Sequence, residues 1–213
     1  MGLTLLRRDF IVTGLLSAAG GLSGAASKAR TILVLGDSLS AEYGLKRGMG
    51  WVALLESKLK AEKLPATLIN ASISGDTASG GRSRLAGLLK QYRPTQVIIE
   101  LGANDALRGL PLKLTQDELK QMTRLAQQAG AKVLLLGMQM PPNYGQDYGT
   151  RFAAMYAEVA RTHQAALVPF LLKGVADVPH SAALFQADGI HPTQEAQAVM
   201  LGNVWSELRK LLQ

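Results

Sequence analysis

Chemistry in this chain has few side chains to draw on: it holds three histidines and no cysteine. Without cysteine there are no thiolate nucleophiles, disulfides or cysteine metal sites, so covalent catalysis would need a hydroxyl, an amine or a carboxylate. A serine hydroxyl is a weak nucleophile until a positioned base takes its proton, and the base needs an acid that fixes its tautomer. His163 falls inside or at the end of a helical stretch, with no acid at useful spacing. Two pairs remain, Asp177 with His180 and Asp188 with His191, each acid three residues ahead of its base. The second is favoured. Gly189 permits a tight turn between acid and base, and Pro192 fixes the chain immediately beyond. The serine candidate is Ser38, in Gly36-Asp37-Ser38, although such residues equally make an ordinary turn or helix cap. The nucleophile-elbow pattern Gly-x-Ser-x-Gly is absent, because residue 40 is Ser. What weighs for catalysis is the joint placement of Ser38, Gly75, Asn104 and the Asp188–His191 turn.

The elements that must position these residues alternate from Thr31 onward. Continuous apolar runs at Thr31–Leu35, Thr67–Asn70, Gln96–Leu101, Lys132–Met138 and Ala166–Pro169 read as five strands covered on both faces. Between them, helix-like stretches lie near residues 50–63, 79–91, 115–129 and 150–164. Thr115 with Glu118 reads as a capping box opening the third, and Gly130 stands where a left-handed C-terminal residue belongs. A last helix is predicted to start at Pro192, with Ala196, Val199, Met200, Val204, Leu208 and Leu211 at helical spacing. Strand and helix repeated in this way predict a three-layer α/β/α fold on a five-stranded parallel sheet. In such sheets ligands bind beyond the carboxyl ends of the strands. The chemically useful residues do follow strands: Gly36-Asp37-Ser38 the first, Asn70 to Asp76 the second, Gly102 to Asp105 the third. The turn 188–191 can reach the same edge.

Four sequence blocks, in order, carry a resemblance: Gly36-Asp37-Ser38-Leu39-Ser40, Ser74-Gly75-Asp76, Gly102-Ala103-Asn104-Asp105, and Asp188-Gly189-Ile190-His191-Pro192. They resemble the blocks of the SGNH (GDSL-type) hydrolases, and the match runs from about Thr31 to the C-terminus. The stretches from Asn70 to Thr77 and from Pro142 to Gly145 are similar to that family's thioesterase, lysophospholipase and arylesterase branch. The resemblance implies a flavodoxin-like sheet and hydrolysis of acyl esters and thioesters. It gives Ser38 the attack on the acyl carbonyl, His191 the part of base then acid, and Asp188 the task of orienting His191. The oxyanion would be held by the backbone N–H groups of Ser38 and Gly75 and by the Asn104 amide. Ala103 departs from the family pattern, which often has a second glycine there, and Asp37 is expected to brace its turn. Leu107, Leu110, Pro111 and Leu112 beyond Asn104 are candidates for an acyl groove, against an ordinary packing role. Two other functions compete: a carbohydrate acetylesterase of the same superfamily, and a flavodoxin-like binding module. The second lacks a glycine-rich phosphate loop and leaves the Asp188–His191 turn unexplained.

The formal charge of +7 invites a nucleic-acid partner, yet Lys and Arg are scattered, as on a solvated basic surface. No metal or organic cofactor is implied, and a monomer acting on small acyl substrates is expected. Residues 1–26 have the layout of a secretory leader, with Arg7 and Arg8, an apolar stretch from Phe10 to Leu22, and small residues to Ala26. The arginine pair resembles the twin-arginine export motif. Cleavage is expected after Ala26 or Ala29, leaving 27–213 as one exported domain, periplasmic or secreted. The apolar run falls short of the roughly 20 residues that span a bilayer, which argues against a retained anchor.

Overall fold

The computed structural model describes residues 1–2 and 30–213. The expected leader and both cleavage points lie outside these residues, apart from the leader's first two. Five runs rich in branched apolar side chains form β1 (Arg30–Gly36), β2 (Ala66–Asn70), β3 (Gln96–Glu100), β4 (Lys132–Leu136) and β5 (Ala166–Val168). They lie in the order β2-β1-β3-β4-β5, every neighbouring pair parallel. The central strands β1 and β3 bury Ile32, Leu33, Val34, Leu35, Val97, Ile98 and Ile99 almost completely. Both faces of the sheet are covered, which is why these strands read as unbroken apolar runs instead of alternating ones.

The covering helices are α1 (Trp51–Ala61), α2 (Ala78–Tyr92), α4 (Leu112–Gln128), α5 (Gln146–His163) and α6 (Gln197–Leu211), with a single short turn of helix, α3 (Ala103–Leu107), after β3. α1 packs against α6, and α4 packs against α2 and α5. Trp51, buried at the start of α1, donates its backbone N–H to the Gln197 Oε1 at the start of α6 at 3.0 Å, tying the two helix ends together.

Two helix starts differ from expectation. Thr115 and Glu118 do not form a capping box: α4 begins earlier, at Leu112 behind Pro111, because proline's fixed φ suits a helix entry. Thr115 is instead buried inside the helix with its Oγ1 3.4 Å from Asp105 Oδ1, and Glu118 pairs with Arg82. The last helix likewise does not begin at Pro192, which forms an antiparallel bridge with Phe185; a turn of 3-10 helix (Gln194–Ala196) precedes α6. Gly130 takes the left-handed conformation expected of it, with φ of 86°.

β1 stands between β2 and β3, so the connections leaving β1 and β3 diverge to opposite sides. This is the switch point where open parallel sheets leave a crevice. Gly36 lies level with Glu100 across it. Ser38 and Asn104 therefore leave neighbouring strand ends into the same space.

Candidate active site

Ser38 follows β1 directly, in a tight turn closed by Ala41 N–H on the Asp37 carbonyl (2.9 Å) and by Leu39 N–H on Asp37 Oδ1 (3.0 Å). Its Oγ lies 2.9 Å from His191 Nε2, across 153 residues of sequence. His191 Nδ1 is 2.7 Å from Asp188 Oδ2. With the Nδ1 proton held by that carboxylate, Nε2 is left as an acceptor facing the serine hydroxyl, the tautomer a general base requires. Asp188 Oδ1 accepts the N–H groups of Ile190 (2.9 Å) and His191 (3.0 Å), so the carboxylate also shapes the backbone that carries His191. The N–H and side-chain bonds from His191, then the Ile190 N–H, hold the Asp188 carboxyl down to about 2. It therefore stays ionised across the neutral range.

The turn is fastened at both ends. Gln186 N–H donates to the His191 carbonyl at 2.8 Å, and Gly189 between them has φ of 66°. The Gln186 side-chain amide donates to the carbonyls of Tyr43 (2.9 Å) and Pro192 (3.1 Å), joining this turn to the segment after Ser38. The Tyr43 ring lies over the imidazole, with centroids 4.3 Å apart and planes tilted by 36°. A shallow recess bounded by Ser38, Leu39, Tyr43, Leu45, His191 and Pro192 opens beside the pair.

Asn104 enters from α3. Its Nδ2 donates to Asp37 Oδ2 at 2.9 Å and to the Asp76 carbonyl at 3.0 Å. Gly75 is exposed, with φ of 77°, and its carbonyl accepts Arg108 at 2.8 Å. Arg84 fixes the same loop through Asp76 (2.7 Å) and the Ala71 carbonyl, and Asp105 Oδ2 accepts the Ala78 N–H (2.8 Å) at the start of α2. Gly102, just before α3, is required twice over. Its φ is 115°, and a Cβ there would sit 2.7 Å from the Tyr156 hydroxyl.

The sequence-predicted residues thus divide. Ser38, His191, Asp188 and Asn104 come together, and Gly75 lies on the loop bonded to Asn104. His163 and the pair Asp177 with His180 do not join them: Asp177 accepts the Gly174 N–H at 2.5 Å, and His180 is an exposed residue with φ of 61°. Leu107 and Leu110 are 39% and 40% exposed and Pro111 is exposed, whereas Leu112 packs partly against the core. Among the described residues no cluster of three or more His, Cys, Asp or Glu could hold a metal ion.

Sequence reasoning passed over Glu100, which ends β3 with none of its surface exposed and accepts the Asp37 N–H (3.2 Å) and the Ser40 hydroxyl (2.8 Å) on Oε2. A glutamate closing the buried apolar run Val97-Ile98-Ile99 was the available signal, since acids are almost never fully buried without a reason. Burial pushes the Glu100 carboxyl well above its ordinary range and raises Asp37 to about 6. Asp37 does brace its turn, as expected, and also holds Asn104.

A profile of the GDSL-like lipase/acylhydrolase family matches residues 34–199. The esterase TesA of Pseudomonas aeruginosa is 50% identical over 184 residues, 86% of this chain and 90% of that protein. The thioesterase 1/protease 1/lysophospholipase L1 of Escherichia coli K12 is 39% identical over 187 residues, 88% of this chain and 87% of that protein. Among solved structures, the psychrotrophic esterase EstA from Pseudoalteromonas sp., inhibited by monoethylphosphonate, superposes with a TM-score of 0.80 at 42% identity, covering 86% of this chain and 98% of that one.

Proposed function

The chain belongs to the GDSL-like lipase/acylhydrolase family, and from that membership we propose that it hydrolyses acyl esters and thioesters through an acyl-enzyme on Ser38. The observation that carries the reading is the relay Ser38 Oγ, His191 Nε2, His191 Nδ1, Asp188 Oδ2, with spacings of 2.9 and 2.7 Å at the sheet's switch point. As Oγ attacks the acyl carbon, His191 takes its proton and Asp188 steadies the imidazolium. The tetrahedral oxyanion is received by the N–H groups of Ser38 and Gly75 and by the Asn104 amide. Such donors act on charge that develops only in the transition state, and the loss of one costs about 100- to 1,000-fold in turnover. His191 then passes the proton to the departing alkoxide or thiolate. Water, activated by the same imidazole, releases the acid.

Leu107, Leu110 and Pro111, exposed just beyond Asn104, offer apolar surface for the acyl chain. A relative named a thioesterase and lysophospholipase supports lipid-like acyl groups over acetylated sugars. The test is Ser38→Ala: hydrolysis of a p-nitrophenyl acyl ester and labelling by a fluorophosphonate should both vanish while the melting temperature holds. Labelling that persists on another serine would move the site.

The same reading takes residues 1–26 as a leader removed on twin-arginine export to the periplasm, releasing a monomer. Intact-mass measurement of the native protein should find a chain starting at Ser27 or Arg30; an unprocessed chain would refute it.

A further inference from the structure

Two carboxyl groups, Glu100 and Asp37, are buried behind the Ser38 turn with 0% and 1% exposure. Among the described residues neither forms an ion pair with Lys or Arg. The Asp37 backbone N–H donates to Glu100 Oε2 at 3.2 Å, so both carboxyl groups are buried behind the same turn. Two ionised carboxylates buried this close without a cation repel each other, and a proton on one of them relieves the repulsion.

The hydrogen bonds say where that proton sits. Asp37 is satisfied as an anion, since Oδ1 accepts the Leu39 N–H (3.0 Å) and Oδ2 accepts Asn104 Nδ2 (2.9 Å). Glu100 is not: both of its donors fall on Oε2, and Oε1 is buried with no donor. One oxygen accepting twice beside one accepting nothing is the pattern of a neutral acid, carbonyl on one side and hydroxyl on the other. The chain has also made room for this group, because a Cβ on Gly36 would stand 2.9 Å from Glu100 Oε2 and 2.8 Å from Ser40 Oγ.

We propose that Glu100 is a protonated positioning residue: through Asp37 it fixes the amide of Asn104 and the turn that carries Ser38, setting the oxyanion site before substrate arrives. The proposal rests on the reading of Ser38 and Asn104 given above. Asn104 has two amide hydrogens. The one on Asp37 Oδ2 sets the plane of the amide and forbids its flip, which would point Oδ1 at a carboxylate. The other, now on the Asp76 carbonyl, is the one a substrate oxyanion takes over. Glu100 holds the Asp37 backbone and keeps the charge of the pair on Asp37, where Asn104 needs it.

The experiment is a double-mutant cycle on the mature enzyme with a p-nitrophenyl ester, using Asp37→Asn, Asn104→Ala and both together, with Glu100→Ala and Glu100→Gln alongside. Glu100→Ala, which removes the acceptor of the Asp37 N–H and the Ser40 hydroxyl, should lower kcat by about 10-fold with KM little changed. The conservative Glu100→Gln should restore kcat to within about threefold of wild type with the pH–rate profile unchanged. Its carbonyl accepts the same two donors, and its NH2 replaces the acid's O–H. Asp37→Asn has one acceptor oxygen where two are needed, so kcat should fall by about 10- to 100-fold with KM little changed. Asn104→Ala should lose about 100- to 1,000-fold. The double variant should be no slower than Asn104→Ala within about threefold, because Asp37 acts through Asn104. Losses that multiply would overturn the coupling. A fall of more than about tenfold in Glu100→Gln at unchanged melting temperature, or a limb of its pH profile disappearing, would overturn the protonated state. Should Asp37→Asn fail to fold, the Glu100 variants decide alone: Glu100→Ala within about threefold of wild type would overturn the positioning role. Fluorophosphonate labelling of the wild type separates the two readings: absence of label on Ser38 removes the active-site assignment itself.

Discussion

Replacing Asp188 by asparagine keeps the shape of the side chain and reverses one hydrogen bond. Asp188 makes three: Oδ1 takes the Ile190 and His191 N–H groups, and Oδ2 takes His191 Nδ1 at 2.7 Å. An asparagine that keeps the two backbone bonds must turn its NH2 toward Nδ1. That nitrogen then has to accept, and the imidazole proton moves to Nε2, 2.9 Å from Ser38 Oγ. The base now presents a donor to the hydroxyl it should deprotonate. In a serine-protease triad this tautomer error costs about 10,000-fold in kcat. Here the Asp188 side chain is 37% exposed, so water can replace part of the lost interaction and the alternative ring orientation is less penalised. A loss of about 1,000-fold is expected, some 4 kcal/mol of transition-state stabilisation. Burst and steady-state kinetics on a p-nitrophenyl ester measure it, with His180→Ala as the control that should stay within about threefold. Because the Asp188 carboxyl is held down to about 2, the deficit should persist undiminished from pH 8 to pH 5. An Asp188→Asn enzyme within tenfold of wild type, or a deficit shared by His180→Ala, would refute the triad.

Two further outcomes concern stability. Asp37 ionises at about 6 in the fold and at about 4 in an unfolded chain, so between those values the folded state binds more protons. Stability is greatest below that window and falls as pH rises through it, by up to about 3 kcal/mol. Urea midpoints at pH 4.5 and 7 should show this fall in the wild type and a smaller one in Asp37→Asn; parallel behaviour of the two proteins would contradict it. Gly102→Ala places a Cβ 2.7 Å from the Tyr156 hydroxyl at φ of 115°. Crowding and backbone strain together should cost about 3 kcal/mol, or about 10 °C in melting temperature. A melt within 2 °C of wild type would refute it.

The sheet was legible in the chain because burial on both faces leaves a local trace. Val97, Ile98 and Ile99 form a run with no polar break, and the first and last strands run into Gly36-Asp37 and Pro169, which cannot continue them. The Asp188 to His191 turn was equally legible, since its bonds close within three residues and Gly189 and Pro192 announce its geometry. Helix starts were less so. Pro192 has the chemistry of a first helical residue, yet its bridge to Phe185 claims that stretch of backbone. Thr115 and Glu118 have capping-box spacing, yet their partners are Asp105 and Arg82, on other elements. The sequence by itself determined which residues could do chemistry and placed most of them at strand exits. Only the tertiary structure decided that His191, and not His180, meets Ser38 across 153 residues, and that Glu100 lies behind Ser38. Glu100 shows the reason. Its role comes from a strand neighbour level with Gly36, and pairing between strands distant in sequence has no local signature: the residues it joins are unrelated until the sheet forms.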